Sequence, residues 1–129
     1  MTDLDTKLNE QLKEVEEEMD DLSLYAMELN FTNHIQGLDE KVNKLAFRKL
    51  QIEKWLITSI LRRDYEKAQK WFVLFCQTLQ DIVELFKTEK LKVVDMDGKI
   101  VDDGGNIFLN NTMTQTYKYK VYIEFIKLL

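Results

Sequence analysis

At 129 residues the chain suits one domain, which can bury about two-thirds of its unfolded surface, and its 45% hydrophobic and 11% aromatic content argues against disorder. A net charge of −5 argues against a general duplex-DNA binder, which needs a basic footprint. No apolar run approaches the ~18–20 residues needed to span a bilayer. The single cysteine, Cys76, and the polar, acidic N-terminus point to a reducing, cytoplasmic setting away from any membrane.

The charge is distributed unevenly. Residues 1–36 carry ten acids and two bases, residues 37–90 eight acids and eleven bases, and residues 91–129 five of each. This texture divides a single domain, 1–129, into an acidic helical arm over 1–36, a two-helix core over 38–88 and a β-rich segment over 90–129. An acidic helix followed by a basic one predicts that the two lie against each other or against partner copies.

The first segment is the most regular. Leu8, Leu12, Val15, Met19, Leu22, Ala26 and Leu29 recur at alternating steps of four and three, an a/d heptad pattern with no glycine or proline to interrupt it. The pattern predicts a helix from about residue 3 to about 33, whose narrow seam packs on one partner helix. That partner is either the chain's own second helix or a second subunit. The expectation is a second subunit, in a homo-oligomer that is a dimer or higher. Glu14, Glu17, Glu18 and Asp21 lie off the seam and form a candidate partner-binding acidic face.

The stretch around Gly37 marks a turn. A second helix is predicted from about Leu38 to Arg62, with a broad apolar arc through Leu38, Val42, Leu45, Ile52 and Leu56, widened by Ala46, Leu50, Ile57 and Leu61. Its expected exposed face carries Lys41, Lys44, Arg48, Lys49 and Lys54, and the first four of these with Arg62 and Arg63 form a candidate nucleic-acid face. Asp64 is placed to cap a third helix, about Tyr65 to Lys87, in which Trp71, Phe75, Leu79, Ile82 and Phe86 recur at helical spacing.

After Lys90 the texture changes to short β-forming runs: "KLKVV", "KIV", "IFL" and an alternating "TYKYKVYIEF". The alternation sets Tyr117, Tyr119, Val121, Ile123 and Phe125 on one side of a strand. The predicted fold class is therefore α+β: a long coiled-coil-like N-terminal helix, two further helices, and a C-terminal antiparallel meander of three to four short strands.

Chemical candidates are few. The stretch "DMDGKIVDDGGN", Asp95 to Asn106, holds three of the four glycines. Read as an EF-hand loop from Asp95 it has Lys99 at position 5, Ile100 at position 6 and Asn106 at position 12, where oxygen, glycine and glutamate are needed. Read as a phosphate loop it must enter a helix, whereas Ile107-Phe108-Leu109 reads as a strand. Asp97-Gly98 and Gly104-Gly105 are instead read as turns. One histidine, His34, and one cysteine do not make a zinc site. The acids of the first helix lack the Glu-x-x-His pairs of a two-metal bundle, so no metal and no cofactor is expected. In "TYKYKVY" strand alternation parts the rings from the lysines, unlike a single-strand platform. The lysine-, asparagine- and isoleucine-rich, proline-free texture resembles that of small accessory proteins of AT-rich phage or bacterial genomes, with no motif behind the likeness.

The functional expectation is a non-enzymatic protein–protein interaction module. It would self-assemble through the heptad helix and bind another, basic macromolecule, as a phage accessory or inhibitor protein would. The alternative is a nucleic-acid-binding accessory protein using the basic face of the second helix.

Overall fold

From residue 1 to residue 90 the chain has no proline and a single glycine, Gly37, so nothing in the backbone opposes long helices there. The computed structural model of the protein describes residues 3–28, 33–36, 39–88, 92–95, 99–104 and 106–129; the side chains of 21–28, 33–36, 39–43, 92–95, 101 and 103 lie outside that description. The elements in chain order are α1 (Asp3–Glu28), β1 (Asn33–Gln36), α2 (Asp39–Leu61), α3 (Tyr65–Thr88), β2 (Lys92–Asp95), β3 (Ile100–Asp103) and α4 (Asn106–Lys127).

The first three helices lie where the apolar periodicity puts them, although α1 stops at Glu28 and a strand follows at 33–36. The helix α2 is central. Its buried Leu50, Ile52, Leu56, Ile57 and Ile60 meet Leu8 and Val15 from α1, Ala68 and Phe75 from α3, and Tyr119, Ile123 and Ile126 from α4 in one core. Full burial of an aliphatic side chain of this size contributes roughly 1.5–3 kcal/mol. Each helix runs antiparallel to its neighbour. Asp5 of α1 meets Arg63 beyond the end of α2, and Glu16 meets Lys54. On the other side, Phe86 of α3 packs on Phe108, and Phe75 meets the Tyr119 ring edge-on at 5.6 Å.

The joint between α2 and α3 is tight for a defined reason. Arg63 takes a left-handed φ of 58°, the Asp64 N–H donates to the Ser59 carbonyl, and the Arg63 N–H donates to that of Ile60. This is the Schellman arrangement, with arginine where glycine is usual. Its strain is offset by the guanidinium, which donates to the Ile60 carbonyl at 3.1 Å and pairs with Asp5 at 3.0 Å. Asp64 then caps α3 by accepting from the Lys67 N–H.

The C-terminal segment overturns the α+β expectation. Residues 106–127, read as strands from their alternation, form the helix α4. Its start is set by Asp102, whose two carboxylate oxygens accept the N–H groups of Ile107 and Phe108 at 3.0 and 2.9 Å. That carboxylate satisfies donors a helix N-terminus otherwise leaves orphaned and complements its dipole. Thr112, Thr114 and Thr116 turn their hydroxyls back onto the carbonyls of Phe108, Asn110 and Thr112, which accommodates polar β-branched residues inside a helix. The body of the protein is therefore a four-helix fold, and there is no C-terminal meander.

Among the described residues the remaining extended structure is one small antiparallel sheet of three four-residue strands in the order β1-β2-β3. Asn33 pairs with Asp95 across β1 and β2, and Lys92 with Asp103 across β2 and β3. The expected turn at Asp97-Gly98 lies outside the described residues. Gly104, at φ +73°, does turn the chain, but into α4 and not into another strand.

Candidate interaction surface

The helix-entering glycine turn reopens the phosphate-loop question, and the geometry closes it. Two N-terminal donors of α4, the N–H groups of Ile107 and Phe108, are already taken by Asp102, itself buried, so the position a phosphate would occupy holds the chain's own carboxylate. Among the described residues no group of three or more His, Cys, Asp or Glu side chains is placed to hold a metal ion. Burial pushes the half-buried Cys76 thiol above its ordinary value, away from the thiolate that nucleophilic chemistry requires. The side chain of His34 lies outside the described residues.

The described part of the α1 seam packs into the chain's own core. Leu8 and Val15 are each 1% exposed in the common core, and Leu12 and Met19 pack alongside. The described part of the seam therefore packs against α2 within the chain, with Leu8 and Val15 fully covered there. Leu22 and Ala26 lie on α1 with side chains outside the description, and Leu29 lies outside the described residues.

Two acids of α1, Asp5 and Glu16, reach across to Arg63 and Lys54, whereas Glu14 and Glu17 are exposed. Glu14 and Glu18 stand on the rim of a groove of about 300 Å³, opposite Asn111 and Gln115 of α4. Asp21, the fourth residue of the expected acidic face, has a side chain outside the description.

The basic face does not assemble as expected. Lys44, Arg48 and Arg62 are exposed, and the Lys41 side chain lies outside the description. Arg63 is held in the α2–α3 joint by Ile60 and Asp5. Lys49, expected at the surface, is 8% exposed and lies at the base of the α1–α4 groove. There it pairs with Glu53 at 3.4 Å, and its ammonium sits about 6 Å from the Phe75 and Phe108 rings. Tyr119 donates its hydroxyl to the other oxygen of Glu53. Burial, then the negative charge of Glu53 and the hydrogen bond to it, hold the Tyr119 hydroxyl well above the ordinary tyrosine range. This Lys49–Glu53–Tyr119 chain ties α2 to α4, and its buried groups satisfy one another. It reads as a structural pin.

The sequence reading missed the surface that stands out most. Met113, Tyr117, Val121, Phe125 and Leu128 are each between 45% and 85% exposed. At steps of four the first four share one face of α4, and Leu128, three residues on, follows directly after the helix ends. The core residues Thr112, Tyr119, Ile123 and Ile126 occupy the opposite face. Neighbouring Ile107 and Leu129 are exposed as well. The four-residue spacing was visible in the sequence, but a strand reading folds Tyr117, Val121 and Phe125 into the same row as Tyr119 and Ile123.

No protein-family model, curated protein or solved structure matches the chain. Among the described residues no helix is long and apolar enough to cross a membrane.

Proposed function

We propose that the protein is a non-enzymatic protein–protein interaction module: a helical scaffold that presents the outer face of α4 to another macromolecule. The observation that carries this reading is the apolar stripe Met113–Tyr117–Val121–Phe125–Leu128 on a helix already buried on its other side. A helix apolar on both faces is ordinarily covered on both. Single exposed hydrophobic residues need no explanation, but an aligned row of five large ones marks an interaction site. The outward acids Glu14 and Glu17 lend the same molecule a negative field that would steer a basic partner.

The test is quantitative affinity capture from the source cells with wild type and a Val121→Asp/Phe125→Asp variant, matched for thermal stability. A macromolecule retained by wild type and lost from the variant is the expected result. Identical retention by both would remove the α4 face from the account.

A further inference from the structure

We infer that the outer face of α4 pairs with the same face of a second copy of this chain, antiparallel, about a two-fold axis passing beside Val121. The inference rests on reading that face as an interaction surface, and it names the occupant.

Area is the first argument. At their observed exposures the five side chains present on the order of 600 Å² per chain. An isologous pair would bury up to about 1,200 Å² through them, which reaches the lower bound of a standard-size stable interface.

Pattern is the second argument. Steps of four residues form the inclined ridge that interdigitates with its own copy in the commonest helix–helix packing class. Val121 is at the centre of the row, with Met113 and Tyr117 before it and Phe125 and Leu128 after it. An antiparallel two-fold therefore sets Tyr117 of one copy near Phe125 of the other, large side chain against large side chain.

Charge is the third argument. Lys120 and Glu124 lie on the same flank of the stripe, so the same axis brings Glu124 of one copy beside Lys120 of the other. The stripe itself is otherwise uncharged, and a chain of net charge −5 is poorly suited to an anionic lipid surface, the other common cover for such a helix.

The test uses the purified 129-residue chain, with which a second copy is the only partner available. Sedimentation velocity from about 1 to about 200 µM is expected to show wild type moving from monomer to dimer. Val121→Asp and Phe125→Asp are each expected to stay monomeric with an unchanged far-UV spectrum. Geometry is tested in a Cys76→Ser background. Under mild oxidation Val121→Cys is expected to cross-link into a covalent dimer, because a residue on the axis meets its own copy within disulfide reach. Met113→Cys is expected not to, since eight residues place it about 12 Å from the axis and about 24 Å from its copy. Efficient cross-linking at both positions would replace the antiparallel pair with a parallel one and overturn the inference. So would a wild type that stays monomeric throughout, or a dimer indifferent to both aspartate variants. A monomeric wild type whose α4 variant still loses a partner from cell extract would leave the interaction reading standing and reject only the second copy. Loss of both results would reject both.

Discussion

The helices α1 and α4 are opposites in sequence and in fate. The first has the regular seam and the charged exterior of a helix made for assembly, yet its seam disappears into the chain's own core at Leu8 and Val15. The last has no clean pattern, and its apolar residues fall on both faces, one against α2 and α3 and the other against solvent. A narrow stripe can be satisfied by one neighbour, and α2 is that neighbour. A helix with two apolar faces exceeds what one chain can cover. Surplus apolar surface, and not regularity, is what signals a partner here.

The largest expected effects test that contrast directly. Leu8→Ala should cost about 2–5 kcal/mol by chemical denaturation, the usual loss for a fully buried leucine. Phe125→Ala, measured in dilute protein, should change stability by no more than about 0.5 kcal/mol. Equal losses would mean that the outer face of α4 is covered within the chain, and the comparison would fail.

The groove between the two helices supplies the next test. Removing one partner of a buried ion pair leaves the other uncompensated, so Lys49→Met should cost about 3 kcal/mol. Lys54→Met, five residues further along α2 and paired with Glu16 in half-exposed surroundings, should cost well under about 1 kcal/mol. Similar values for the two lysines would show that Lys49 is not a pin between α2 and α4.

These results also explain how far the sequence could be read. The three helices before Lys90 were legible because each has one apolar face, so a period of about 3.6 is unambiguous. The segment 117–125 was not. Two residues along a helix turn about 200°, so an alternating run deals its members to opposite faces: Tyr119 and Ile123 inward, Tyr117, Val121 and Phe125 outward. A helix apolar on both faces and a strand apolar on one share that pattern. What decides between them is Asp102, four residues before the helix begins, and its capping role is visible only once the chain has turned at Gly104. Lys49 was misread for a related reason. Its charge placed it at the surface, while its partner Glu53 and the tyrosine that completes the cluster lie on helices whose packing the sequence does not show.

A smaller effect concerns the inner face of α4 and has a pH signature. Tyr119→Phe removes the hydroxyl that Glu53 accepts and should cost about 1–3 kcal/mol at neutral pH. Because the folded state holds the Tyr119 proton far more tightly than the unfolded chain, that contribution is fully present below the ordinary tyrosine value of 10.0. It is lost as pH rises above it, where only the unfolded chain releases the proton. Wild type should therefore lose stability more steeply than the phenylalanine variant above about pH 10. Parallel curves would mean that Tyr119 titrates normally.

The smallest effect returns to the outer face of α1. Glu14 and Glu17 are exposed and three residues apart, and Glu14 also has Glu10 and Glu18 four residues to either side, so the pair carries like-charge repulsion. The ion pairs between α1 and the α2 end of the fold use Asp5 and Glu16 instead. Replacing Glu14 and Glu17 with glutamine should therefore leave the melting temperature unchanged or raise it by about 1–2 °C at low salt. Glu16→Gln, which breaks a cross-helix pair, should lower it by a similar amount. The two variants carry charge changes of the same sign, so a difference between them isolates position from net charge. If Glu14→Gln/Glu17→Gln lowers the melting temperature as Glu16→Gln does, those acids serve the fold. If it does not, and association with a basic partner slows and loses its dependence on salt, α1 contributes a charged surface beside the apolar one of α4. One helix would then steer what the other binds.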